Sequence, residues 1–62
     1  MDGIWKRSGN MHHYFTMDGK CKGRIMHLDD GWCVSVPGDD GYFKLVAGNM
    51  KKSQAQAYLE AL

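Results

Sequence analysis

The sequence predicts an α+β fold, an antiparallel four- to five-stranded β-meander with one short C-terminal helix packed on the sheet. Three features carry this reading. Turn signals built on glycine recur at short, regular intervals. The segments between them are rich in Val, Ile, Tyr, Trp and Phe. Only the C-terminal segment switches from turn-punctuated strands to a helical period. With 62 residues, the chain has room for one domain, spanning residues 1–62.

The first strand covers residues 4–8 and ends at Gly9-Asn10. A two-residue loop there pairs Trp5 with Tyr14 and Arg7 with His12. The second strand, residues 11–17, ends at Asp18-Gly19, the strongest hairpin signal in the chain because a type I′ turn needs positive φ at both central positions. A two-residue loop pairs Met17 with Lys20, Phe15 with Lys22, His13 with Arg24 and Met11 with Met26. Trp5, Tyr14 and Gly23 then form one row across three strands, where a ring can use the space a glycine leaves. The third strand covers residues 20–28. Asp29-Asp30-Gly31 reads as a three-residue loop with Gly31 left-handed, pairing Leu28 with Trp32 and Met26 with Val34. The fourth strand is residues 32–36. Pro37-Gly38-Asp39-Asp40-Gly41 separates it from the fifth, residues 42–47, which Gly48-Asn49 closes.

Ser53 stands three residues before Gln56, a capping-box spacing. After it Ala55, Tyr58, Leu59 and Leu62 repeat at i, i+3, i+4 and i+7, which predicts a helix over residues 54–62. So short a helix is marginal alone in water and must dock on the sheet.

These registers sort the side chains by face. One face collects Met26, Leu28, Trp32, Val34, Val36, Phe43 and Leu45, the expected core beneath the helix. The other collects Trp5, Arg7, His12, Tyr14, Cys21, Ile25, His27, Cys33, Ser35, Tyr42 and Lys44 and is expected to stay open. Lys20, Lys22 and Arg24 fall on the core side, where an unpaired charge is costly. Either the first hairpin runs beyond the helix, or a bulge near Gly19 or Gly31 shifts the register. A slip of one residue exchanges the two faces.

The charge balance, eight Lys/Arg against seven Asp/Glu, gives +1 and argues against generic DNA coating and against acidic mimicry of nucleic acid. The residues from Met1 to His12 hold no apolar run, so no secretory signal is expected. No stretch approaches the length of a membrane span. Cys21 and Cys33 with five methionines fit a reducing, cytoplasmic setting.

Lys20-x-Lys22-x-Arg24 forms a basic ladder on one strand face, with Lys6, His13 and Phe15 near it by register. Cations on a strand can meet phosphate or an acidic surface, and aromatics can stack on bases; a solvated strand face that resists edge aggregation has the same pattern. Trp5, Arg7, Tyr14, Tyr42 and Lys44 supply residue types enriched at interfaces; a second small core around Gly23 and Ile25 would use the same rings. Met11-His12-His13, His27 and the cysteines do not converge on a metal. Neighbouring strand residues point to opposite faces, and the cysteines lack paired zinc spacing. Cys33 facing His27 across the ladder is the sole catalytic pairing in reach, without the oxyanion pocket and orienting group it needs. The aspartate pairs Asp29-Asp30 and Asp39-Asp40 fit turn formation. No cofactor, metal or enzymatic activity is expected.

Residues 31–36 (Gly-Trp-Cys-Val-Ser-Val), 41–45 (Gly-Tyr-Phe-Lys-Leu) and 53–59 (Ser-Gln-Ala-Gln-Ala-Tyr-Leu) together resemble small phage and mobile-element proteins in which a Trp-containing strand, an aromatic strand and an Ala-rich helix follow in order. The layout of strands then helix is similar to AP2-like, arm-type DNA-binding domains of phage integrases and to phage-encoded inhibitors of host defence, anti-CRISPR proteins among them. The resemblance covers about half of the chain and transfers no site residue. It implies a non-enzymatic phage protein in the host cytoplasm that inhibits or modulates a host protein or ribonucleoprotein complex. Direct DNA or RNA binding by the basic strand face is the alternative. The expected contact residues are Trp5, Arg7, Tyr14, Lys20, Lys22, Arg24, Tyr42 and Lys44. An edge strand at residues 4–8 leaves the chain a monomer or a dimer by strand addition.

Overall fold

The computed structural model describes residues 3–62. Five strands, β1 (Gly3–Ser8), β2 (Met11–Thr16), β3 (Cys21–Leu28), β4 (Gly31–Pro37) and β5 (Phe43–Met50), lead into α1 (Lys52–Ala61). They form one antiparallel sheet in the order β1-β2-β3-β4-β5. The α+β meander with a docked C-terminal helix is therefore the fold.

Loop chemistry sets the registers. At Gly9-Asn10 only the glycine has positive φ, +61°, the pattern of a type II′ turn, and Trp5 faces Tyr14 and Arg7 faces His12 as expected. The next hairpin differs from the expected two-residue loop. Thr16 N–H donates to Lys20 O at 2.8 Å and Gly19 N–H to Thr16 O at 2.9 Å, so Met17, Asp18 and Gly19 form a three-residue loop with the left-handed conformation (φ +86°) at Gly19. The same closure recurs at Gly38 and Tyr42 around Asp39-Asp40-Gly41. Asp40 Oδ1 accepts from Tyr42 N–H at 3.1 Å, as Asp18 Oδ1 does from Lys20 N–H at 3.4 Å. The longer loop moves Phe15 opposite Cys21 rather than Lys22, and a bulge then restores Tyr14↔Gly23, His13↔Arg24 and Met11↔Met26.

Between β3 and β4 nothing restores the register. Asp29-Asp30 alone connect them and Leu28 faces Gly31, so His27 pairs with Trp32, Met26 with Cys33 and Ile25 with Val34. Gly31 does adopt positive φ (+128°), but inside the ladder. A Cβ there would stand 3.1 Å from Met50 O, where β5 comes close.

This slip turns β1–β3 over relative to β4, and the Asp39-Asp40-Gly41 loop, which sets Val36 opposite Lys44 and Pro37 opposite Phe43, does the same for β5. Trp5, Tyr14, Gly23 and Ile25 share the helix-covered face with Trp32, Val34 and Val36. Met26 and Leu28, and also Phe43 and Leu45, lie on the other side. The core is Tyr14, Ile25, Val34, Ala55 and Leu59, with Trp5, Trp32, Val36, Ala47 and Met50 against it. Gly23 lets the helix approach: a Cβ on it would meet Leu59 Cδ1 and Ser35 O at 2.6 Å.

The C-terminal elements also start and stop elsewhere than expected. β5 runs through Gly48-Asn49 to Met50 by means of two bulges, with Asn49 at φ +57°, a conformation asparagine tolerates. Helix α1 begins at Lys52, and its capping contact is Gln54 Oε1 accepting from Lys51 N–H at 3.0 Å, not Ser53 with Gln56. Ala55 and Leu59 are buried as expected, whereas Tyr58 is 36% exposed and Leu62 more than half exposed.

Candidate functional site

The eight expected contact residues do not form one surface. Tyr14 is 3% exposed beneath the helix, and Trp5 packs on it with ring centroids 4.9 Å apart. The Trp5 indole Nε1–H donates to the Glu60 carboxylate at 2.8 Å. These two rings belong to the helix-side core, because the β3–β4 slip put their face under α1. The basic ladder is split as well. Lys22 is the extra residue of the bulge; it points to the helix side and donates through Nζ to Glu60 O at 3.0 Å. Arg24 stays on the helix-free face, while Lys20 sits exposed in its hairpin. Tyr42 lies in the β4–β5 loop, 76% exposed. Lys44 is exposed on β5, and Arg7 is exposed near the end of β1.

The helix-free face assembles a different set. Lys6, His13, Arg24 and Ser35 stand in one row across four strands. Lys6 Nζ lies 5.6 Å from the Phe15 ring centroid, and Arg24 Cζ lies 4.1 Å from that of Phe43. His13 bridges them, 6.3 Å from each ring. Three strand spacings of about 4.8 Å separate β2 from β5, so the His13–Phe43 approach requires the sheet to curl toward this face. Bulges in β3 and β5 supply the bending. The curl leaves Cys33 and Ser35 buried on the floor although no helix covers them. Arg24 Nε is buried here with no hydrogen-bond partner among the described residues. Around the cluster Ile4 and Leu45 are more than half exposed, and Met11 and Met26 are half-buried.

Charge is sorted by element. None of the five strands holds an Asp or Glu, and among the described residues the acids lie in turns or, as Glu60, on the helix. The sheet is therefore cationic on both faces despite a chain total of +1.

Cys33 and His27 stand on opposite faces, since Cys33 pairs with Met26 and donates through Sγ to Met26 O at 3.4 Å. That removes the thiol–imidazole pairing the sequence suggested. Both cysteines are free thiols. No group of three metal-ligating side chains occurs among the described residues, and no helix is long and apolar enough to cross a membrane.

Lys6, His13 and Phe15 were in reach of sequence reasoning as neighbours of Arg24 by register. Phe43 was not, because its alternation with Leu45 reads as core; only the β4–β5 register, with Phe43 opposite Pro37 and Leu45 opposite Ser35, shows that these side chains face away from the helix. No protein-family model, curated protein or solved structure matches the chain.

Proposed function

We propose that this chain is a non-enzymatic binding protein that docks its helix-free sheet face on an acidic surface of a protein within a nucleic-acid-handling complex, and thereby inhibits or modulates it. The observation that carries the reading is the Lys6–Phe15–His13–Phe43–Arg24 cluster, which lies on a sheet without acids and includes a buried, unpartnered Arg24 Nε. Leaving such a donor unpaired costs about 1–3 kcal/mol, and a partner carboxylate that moves the Phe43 ring off the guanidinium and bonds Nε offsets that cost. Phe, Met and Arg at the centre with acids excluded is the composition of a protein interface core, and the aliphatic neighbours Ile4 and Leu45 have no use against a phosphate backbone. The molecule's larger extents, 32 × 28 Å, present a face on the order of the ~800 Å² per partner of a standard interface. Phage origin and a host-defence target of the CRISPR kind are the finer form of this proposal, supported by the resemblance in residues 31–59.

The acid-free strands also favour a second reading, direct binding of DNA or RNA. One experiment separates the two. Tagged protein is used to capture partners with and without nuclease, and the captured protein is purified and rebound. Docking by this face predicts nuclease-resistant binding that falls at least tenfold with Arg24→Glu and is kept by Lys44→Glu, on the other face. Equal binding by both variants overturns the reading. Nuclease-sensitive capture with a steep salt dependence replaces it with the second.

A further inference from the structure

The helix side of the sheet carries an open, shallow depression of about 370 Å³ at the end where β1 turns into β2, lined by Arg7, Gly9, Asn10, His12, His27 and Trp32. That volume is at the small end of ordinary ligand sites (about 300–1,000 Å³). Its walls follow from the registers: Arg7 faces His12, His12 faces Ile25, and one row further out His27 faces Trp32. Trp32 is the hub of the cluster, its ring centroid 5.6 Å from His12 and 5.2 Å from His27. The first residue of α1 brings Lys52 Nζ to 5.6 Å from the same ring. No acid lines the depression.

A planar indole beside one guanidinium, one ammonium and two imidazoles matches a ligand that joins a flat ring to an anion. The ring can stack on the aromatic wall, while the phosphate meets the cations. We propose that this depression binds a nucleotide, with its base against Trp32 and its phosphate held between Arg7 and Lys52. The site lies on the opposite face from the docking cluster and does not depend on it. The same chemistry occurs in a free mononucleotide and at the end of a single strand.

His12 adds a pH signature. Burial is the largest cause holding its pKa below the ordinary 6.5, followed by the charges of Lys52, Arg7 and His13. Arg7 lines the depression from β1 and His27 from β3, Lys52 of α1 stands over the Trp32 ring just outside that lining, and His13 acts from the far face of β2. A bound phosphate opposes that positive field, so the His12 pKa rises on binding.

The test is an NMR titration of the full chain with AMP, reading both indole N–H signals and the histidine ring signals. Expected are saturable shifts of Trp32, His12 and His27, an unmoved Trp5, an upward shift of the His12 titration, and affinity at least tenfold lower in Arg7→Glu and in Lys52→Glu. Both substitutions are at exposed positions, and unchanged amide spectra verify the fold. Tighter binding of a 5′-phosphorylated pentanucleotide than of AMP assigns the ligand to single strands, and equal or weaker binding assigns it to free nucleotides. An absence of Trp32 shifts at millimolar AMP overturns the proposal. So does equal saturation by inorganic phosphate, because the indole then plays no part.

Discussion

Gly23 shows how much one absent side chain decides. It sits in the row with Trp5 and Tyr14 that the first two hairpins predict, but the space it leaves is filled by Leu59 of the helix rather than by a strand ring. Gly23→Ala must push Leu59 off or move the Ser35 backbone, and overpacking of this kind costs about 1–3 kcal/mol. Leu59→Ala removes the central helix contact at about 2–5 kcal/mol, against about 3–9 kcal/mol expected for a domain of this length. Urea denaturation should therefore show Leu59→Ala with a midpoint lowered by about half or more. A midpoint within error of the parent chain would remove Leu59 from the core. His12 gives a residue-level pH effect. Because its folded-state pKa lies below the ordinary 6.5, the unfolded chain binds the proton more readily. Its contribution is full above pH 6.5 and is lost as pH falls through the lower folded value. His12→Gln should flatten the dependence of stability on pH in that window. Asp18 acts lower still: the Thr16 hydroxyl, then Lys20 N–H, hold its carboxyl below the ordinary 3.8, so its contribution is lost only as pH falls below that value.

At the level of elements, the strands and helix were legible because turn residues and hydrophobic period mark them locally. Loop length was not, since Asp-Gly serves two-residue and three-residue hairpins alike. The β2–β3 loop is one residue longer than its sequence suggests, and the Lys22 bulge cancels the error, so the expected pairs from Tyr14 to Met11 are correct despite the wrong turn. Between β3 and β4 the loop is one residue shorter, and no bulge compensates. β1–β3 turned over relative to β4 as a result, which is why Tyr14 is core; Phe43 is not, because the β4–β5 loop sets it opposite Pro37 rather than Val36. The discomfort of Arg24 on a supposed core face was the available signal, and its resolution lay in the slip at Gly31, whereas Lys22 stays on the helix side through its bulge and bonds Glu60 there. The bulges in β5 had no sequence signal beyond Gly48-Asn49. Asn49 at φ +57° predicts that Asn49→Gly is tolerated and that Asn49→Val costs about 1–3 kcal/mol, as thermal denaturation would report. The same bulges blunt the β5 edge, and Lys6 and Arg7 guard the β1 edge. Sedimentation should accordingly find a species near 7.0 kDa at micromolar concentration; a species of twice that mass would mean that edge pairing wins.

For the whole molecule, the near-neutral total conceals a separation of charge between elements. Apart from Glu60 on the helix, the acids among the described residues lie in turns, and strands hold Lys6, Arg7, Lys22, Arg24 and Lys44, so a partner meeting the sheet face meets a cationic surface from a chain with almost no net field. The helix covers one face and is pinned there by Glu60 through Trp5 and Lys22. The curled face with Phe15, His13, Arg24 and Phe43 remains available, and docking through it is the central claim. Photo-crosslinking tests it most directly, with benzoylphenylalanine placed at Leu45 on the helix-free side or at Tyr58 on the helix, each mixed with the purified partner. The account predicts a crosslink from position 45 and none from position 58. A crosslink from 58 alone would contradict it.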